Sequence, residues 1–225
     1  ALALITGTVD LICRNRFVFT RTLIFLTVYL WCEIIGLFVG FFLWILRATQ
    51  LLSARQFTRA CFLVQQQWAG ALFGTGRVLF HLRVRLEGAE AITRARSHGP
   101  ALVFLRHSST ADTVLPVALV SGPYDILLRY VMKRDLLWDP CLDLYGQRLP
   151  NTFIRRGSND PAREIARVRE LSRHLATGDG VLLYPEGTRF SERTRDRLHE
   201  KLAAEGDPEK LRRAKQFQSV LPPRI

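Results

Sequence analysis

Two hydrophobic patterns divide the chain. From Thr22 to Leu46 the residues TLIFLTVYLWCEIIGLFVGFFLWIL are apolar on every side, with Glu33 the only charge. A run of 25 residues exceeds the roughly 20 that a helix needs to cross a hydrocarbon core. Arg21 and Arg47 bracket it, and Tyr29, Trp31 and Trp44 suit an interface. The pattern predicts a membrane segment. Glu33, near its middle, would cost about 2.5–3.5 kcal/mol if it faced lipid. It is therefore expected to face a partner helix, to be protonated, or to sit near headgroups in a helix that dips rather than spans. A second stretch, Ala60 to Leu82, is apolar but broken by Gln65, Gln66, Gln67, Gly70, Gly74 and Gly76. It reads as an amphipathic helix, at an interface or packed on the first.

From residue 83 the period shortens. The runs Ala101–Leu105, Asp125–Val131, Thr152–Ile154 and Val181–Tyr184 predict strands, with helical stretches between them. The clearest helix is Pro161–Thr177, with Asp160 as N-cap, proline at the first helical position and Gly178 as its stop. Ile165, Val168, Leu171 and Leu175 would form its apolar face, with Arg163, Arg167, Glu170 and Arg173 turned to water. The alternation predicts an α/β fold, a mostly parallel sheet flanked by helices and preceded by N-terminal membrane-associated helices. Residues 1–80 are expected to form the membrane-associated region. Residues 81–225 are expected to form the α/β domain, large enough to bury a core.

Composition narrows the partners. Hydrophobic residues at 48% and charged residues at 23% exclude a disordered chain. The net charge of +12 calls for an anionic partner: nucleic acid, an acidic lipid surface or a phosphorylated substrate. The long apolar segment, and the absence of an aromatic-basic RNA motif, argue against nucleic acid. Cys13, Cys32, Cys61 and Cys141 are widely spaced, which excludes a disulfide scaffold and fits reduced thiols. The expected location is a membrane, with the active site on its cytoplasmic face. Three arginines lie on each side of the apolar run, so charge asymmetry does not set its orientation. His81, His98, His174 and His199 are scattered and no Cys/His spacing suggests zinc, so no metal is expected.

Candidate chemistry sits at the predicted strand ends. The ALVFL run leads into Arg106-His107-Ser108-Ser109-Thr110-Ala111-Asp112. A His and an Asp five positions apart lie about 140° apart around a helix and could not meet there. They meet if His107 stands on the strand-to-helix turn and Asp112 on the first turns of the helix. Asp112 would then fix the imidazole tautomer and leave the second nitrogen free to take a proton. The spacing alone serves equally well for a helix-capping His107 and a solvated Asp112. The VLLY run leads into Pro185-Glu186-Gly187-Thr188-Arg189, and Phe153-Ile154 into Arg155-Arg156; both place arginine forks suited to phosphate at strand ends. Taken singly, such arginines are also ordinary solvated surface, since the chain holds 28 Arg and only four Lys.

In this order the motifs resemble those of the glycerolipid acyltransferase family, best known for the 1-acylglycerol-3-phosphate (lysophosphatidic acid) acyltransferases. The first block is similar at His107, Ser109 and Asp112, with Arg106 where Asn is usual. The second is similar at Phe153, Ile154 and Arg156, with Pro150 in a Gly position. The third is matched outright by Glu186, Gly187, Thr188 and Arg189, while the fourth, an apolar-Pro segment, looks like Val220–Pro223. The lead-in Leu86–Glu90 also looks like the family's. The chain is expected to be cut short within the fourth block. Phe190 stands where many bacterial members have Ser. Ser191–Gln218, with eight basic and six acidic residues, looks like the longer link of lysophospholipid acyltransferases.

The resemblance implies transfer of a fatty acyl group from acyl-CoA, or acyl carrier protein, to the free hydroxyl of lysophosphatidic acid. The product would be phosphatidic acid. It implies His107 as general base and Asp112 as its orienter, with Arg156 and Arg189 holding the acceptor phosphate; Lys133, which follows a predicted strand in the same way, is a further candidate phosphate contact. Glu186, Gly187 and Thr188 would shape the site loop. No cofactor is implied beyond the thioester co-substrate, and the partners are membrane phospholipids and the lysophospholipid. The alternatives are acylation of another lysophospholipid or of glycerol 3-phosphate, or a catalytically idle membrane-surface scaffold.

Overall fold

The computed structural model describes residues 10–11, 17–107, 109–155 and 160–222. The apolar run becomes helix α1, Val18–Ala48, which the Asp10 carboxylate caps by accepting from Phe19 N (3.0 Å) and Thr20 N (2.7 Å). Helix α2, Ala54–Leu79, starts at a capping box in which Ser53 accepts from Gln56 N while the Gln56 side chain accepts from Ser53 N. It packs along α1, as the second of the two readings of that stretch anticipated.

After α3 (Ala89–His98) come β1 (Ala101–Phe104), a 3₁₀ turn (Thr110–Thr113) and β2 (Leu127–Lys133). A second 3₁₀ turn, Arg134–Trp138, leads into α4 (Pro140–Gly146), β3 (Thr152–Ile154), α5 (Pro161–Leu171) and β4 (Asp179–Leu183). Two charged helices, α6 (Glu192–Ala204) and α7 (Pro208–Lys215), follow. The strands form one parallel sheet in the order β1-β4-β2-β3, flanked by helices. The α/β architecture read from the sequence is the one observed. All four strands end at one edge, where open parallel sheets carry their ligands.

Among the predicted boundaries that shift, two do so for a visible reason. Asp125 is not in β2. It takes a left-handed turn (φ 52°) and bridges Arg59 (2.6 Å) and Arg96 (3.5 Å), so the strand starts two residues later and runs on to Lys133. Helix α5 stops at Leu171 rather than Thr177. There the Arg129 guanidinium takes the carbonyls of Leu171 (3.1 Å), Arg173 (2.9 Å) and His174 (3.2 Å), and His174 adopts φ 52°. The same guanidinium pairs with Asp179 at 3.0 Å, tying the turn to β4. On α5 Leu171 is buried, but Ile165, expected inward, is 53% exposed.

Helix α2 serves two cores. Its Ala69 joins Val117, Ile126, Leu128, Tyr130 and Leu182 beneath the sheet, and its Cys61 and Phe62 join Cys141, Tyr145 and Leu149 of the α4 region. Helix α1 closes the second core through a stripe of Glu33, Gly36 and Gly40. Glu33 is buried, accepting from Trp68 Nε1 (2.9 Å) and Cys141 N (3.0 Å); it faces a partner helix and the N-terminus of α4. A Cβ on Gly36 would come within 2.5 Å of Cys141 Sγ, and one on Gly40 would collide with Leu144, so only glycine admits α4 this closely. Tyr145 Oη donates to Gly36 O and Tyr29 Oη to Asp139, each at 2.6 Å.

Candidate active site

The site assembles where β1 and β4 end side by side. Past β1 the chain turns at His107, and the 3₁₀ turn carries Asp112 back beneath it. His107 Nδ1 lies 3.4 Å from Asp112 Oδ2. A carboxylate only accepts, so Nδ1 carries the hydrogen and Nε2 keeps a free lone pair. The contact is long, as such pairs often are without substrate. The same Oδ2 also accepts from Ser109 N at 2.6 Å, and the Asp112 main-chain carbonyl accepts from Tyr184 Oη at 2.8 Å. The Tyr184 ring also packs on the imidazole, with centroids 5.0 Å apart. Burial, and then the nearby Asp112 charge, push the Tyr184 phenol well above its ordinary value, so it remains a donor.

The turn after β4 is braced by Glu186. This carboxylate is 4% exposed and accepts from His107 N (3.3 Å) through one oxygen and from Leu221 N (3.0 Å) through the other. One side chain thus holds the first and fourth blocks against the third. Gly187 takes φ 63° and donates its N–H to Tyr184 O at 2.9 Å, which closes the turn. Phe190 N donates to His107 O at 2.7 Å, a second clasp between the loops.

A cavity of about 310 Å3 opens on His107, lined also by Lys133, Thr188, Arg189, Phe190, Ser191 and Thr194. Lys133 arrives from the end of β2, beyond β4 in the sheet. Neither the Lys133 nor the Arg189 side chain makes a hydrogen bond or ion pair among the described residues. Arg156 lies outside the described residues. Asp112 and Glu186 lie behind the cavity wall, Asp112 against His107 and Glu186 against the loops.

Sequence reasoning missed three features. Tyr184 read as the last apolar residue of a strand, whereas its hydroxyl steadies Asp112. Ser191 and Thr194 line the cavity while starting α6, where Thr194 N donates to Ser191 Oγ at 3.1 Å; the Ser-x-x-Thr spacing was the available signal. Arg106 and Phe190, noted only as separate departures, form one contact: the guanidinium stands over the Phe190 ring at 5.0 Å.

The sequence profile of the Acyltransferase family matches residues 83–215, well over half of the chain. The chain belongs to the glycerolipid acyltransferase family. No curated protein and no solved structure matches it. The matched span of this acyltransferase runs from the lead-in to β1 through α7 and contains both strand-end loops. Its chemistry is acyl transfer in lipid metabolism, and it is an O-acyltransferase-type enzyme.

Proposed function

We propose that this acyltransferase esterifies the free hydroxyl of lysophosphatidic acid with a fatty acyl group taken from acyl-CoA or acyl carrier protein, giving phosphatidic acid. The observation that carries the reading is a single cavity in which His107, backed by Asp112, stands beside two cationic side chains without a partner among the described residues, Lys133 and Arg189. A phosphate monoester held by those cations places its hydroxyl against the imidazole. His107 Nε2 takes the hydroxyl proton as the oxygen attacks the thioester carbonyl. The tetrahedral intermediate then expels thiolate by breaking the C–S bond, and the imidazolium returns the proton to sulfur. Asp112 stabilises the imidazolium meanwhile. Base catalysis contributes about 10²–10⁴-fold, so positioning by the cations supplies much of the rest. The Thr188 hydroxyl, on the cavity wall, is a further donor to the phosphate.

Helix α1 is long and apolar enough to cross a membrane, but its middle is occupied. Tyr29, Glu33, Gly36 and Gly40 dock on the α4 region, and Trp31, Ile34, Phe38, Phe41 and Phe42 stay 44–72% exposed on the opposite side. A helix spanning with that centre at mid-bilayer would carry Asp139 and Asp143 into hydrocarbon, at a cost of kilocalories each. We therefore read α1 as lying in one leaflet, apolar face down, on the cytoplasmic side.

An acceptor panel tests the reading: acyl-CoA consumption with lysophosphatidic acid, glycerol 3-phosphate, lysophosphatidylcholine and lysophosphatidylethanolamine. Preference for lysophosphatidic acid is expected; preference for a choline or ethanolamine headgroup overturns it. His107→Ala should abolish turnover and leave vesicle binding intact. Near-normal turnover would remove His107 as the base, and an inactive wild type that still bound vesicles would favour the scaffold.

A further inference from the structure

A second cationic cavity, of about 350 Å3, lies beside the first and has no part in the chemistry above. It is lined by Arg134, Asp135, Leu137, Trp138 and Arg155. In the sheet Lys133 of β2 pairs with Ile154 of β3, so Arg134 and Arg155 are the first residues past the ends of two adjacent parallel strands. Lys133 lines the His107 cavity while its neighbour Arg134 lines this one, so the two cavities share the end of β2. Neither the Arg134 nor the Arg155 side chain makes a hydrogen bond or ion pair among the described residues. By contrast, Arg59, Arg96, Arg129 and Arg195 each reach a carboxylate.

The third element is an indole. Trp138 is 92% exposed, although its neighbour Asp139 is pinned by accepting from Leu142 N (2.8 Å) and Tyr29 Oη (2.6 Å). Its backbone is thus anchored while a large flat ring stands in solvent beside two free guanidinium forks. An aromatic face with arginines at its edge recognises a planar base that carries phosphate.

We propose that this cavity binds the adenine nucleotide end of an acyl-CoA donor, with Trp138 stacking on the base and Arg134 and Arg155 holding its phosphates. The assignment rests on the acyl-transfer reading, in which two phosphorylated substrates must be held together. The acceptor's phosphate has the cavity that contains His107; the donor's nucleotide takes the one that contains the indole. The shared end of β2 lets the thioester arm pass from one to the other.

The experiment compares wild type, Trp138→Ala and the double variant Arg134→Ala/Arg155→Ala. Steady-state kinetics use acyl-CoA and acyl-3′-dephospho-CoA as donors, calorimetry measures binding of adenosine 3′,5′-bisphosphate, and sedimentation measures binding to phosphatidylglycerol vesicles. The double variant should raise KM for acyl-CoA at least tenfold, with kcat and the acceptor KM within about twofold. It should also lose the preference for acyl-CoA over its dephospho form. Trp138→Ala should weaken bisphosphate binding several-fold. An unchanged donor KM in an active enzyme overturns the assignment and leaves the acyl-transfer reading standing. A rise confined to the acceptor KM, or a loss confined to vesicle binding, gives the cavity to the acceptor or to headgroups and equally overturns it. If no donor is turned over, the acyl-transfer reading fails, and bisphosphate binding that survives in the double variant overturns the cavity assignment separately.

Discussion

Glu186→Gln isolates the brace from the chemistry. The native carboxylate is nearly closed to water and accepts from two main-chain N–H groups, His107 N at 3.3 Å and Leu221 N at 3.0 Å. Glutamine keeps the shape and one carbonyl oxygen but sets an NH2 against one of those donors. One hydrogen bond to a charged acceptor is lost, worth about 1.5–3 kcal/mol, and a buried N–H is left without a partner. Relief of the buried charge offsets part of that cost, so the net loss expected is about 2 kcal/mol. For a chain of this size that lowers Tm by about 4–8 °C. Catalysis should fall further than stability alone implies, because the loosened N–H belongs to His107, the proposed base. A displacement of about 1 Å costs on the order of 10²-fold. The expected kinetic signature is kcat down 10- to 100-fold, with both KM values little changed, read at a temperature where the variant remains folded. Thermal melts and initial rates on the same preparations check both numbers. An unchanged Tm and kcat would refute the brace. A raised acceptor KM with kcat intact would show that Glu186 meets substrate instead.

Asp112→Asn keeps the bond from Ser109 N but offers the imidazole an amide in place of a carboxylate; kcat should drop by at least 10²-fold with the acceptor KM nearly constant. Arg106→Ala and Phe190→Ala, made singly and together, should show a coupling of about 0.5–1 kcal/mol in Tm-derived stability, and additive losses would dissolve the pair. Gly40→Leu should strip α1 from α4, since the new side chain meets Leu144 and Tyr145; faster proteolysis between α1 and α2 and loss of vesicle binding would report it. Burial pushes up the Cys141 thiol and the Tyr130 and Tyr184 phenols, the thiol further under Glu33 and Tyr184 under Asp112. Each holds its proton when folded and releases it when unfolded. Stability should therefore be complete below about pH 8.5 and fall as pH rises past the thiol and then past about pH 10, the ordinary phenol value. Denaturant midpoints that stay flat from pH 8 to 11 would contradict this.

The fold was legible wherever one periodicity ran unopposed. The lipid-like run gave α1, Asp160-Pro161 gave the start of α5, and four short apolar runs gave the four strands. Boundaries were lost where a distant side chain intervened. Nothing local to Leu171–Thr177 predicts that Arg129, some forty residues earlier, takes up its carbonyls, and nothing in Asp125–Ile126 shows that Arg59 and Arg96 converge on the aspartate. Propensity describes a segment by itself, whereas these ends are set by charges on other elements. Ile165 shows the same limit, because an apolar stripe cannot say whether a surface exists to cover it.

The site divides along the same line. The positions of His107, Asp112, Glu186 and Arg189 at strand ends could be read because each is local to one strand and the turn after it. The convergence of the separate turns was implied only by the family resemblance and not by the local pattern, because it depends on β4 lying between β1 and β2. That order sets the turn carrying Glu186 against His107 on one side and Lys133 on the other. The bonds that then lock the loops use main-chain groups, His107 N, His107 O and Leu221 N, which any residue supplies and no motif records. Arg106 and Phe190 carry the point further. Each looks like a loss against the family pattern when read singly, yet across the joined loops the guanidinium stands over the ring on the rim of the cavity. A departure from a motif therefore has to be judged in space, against the residue it touches rather than the one it replaces.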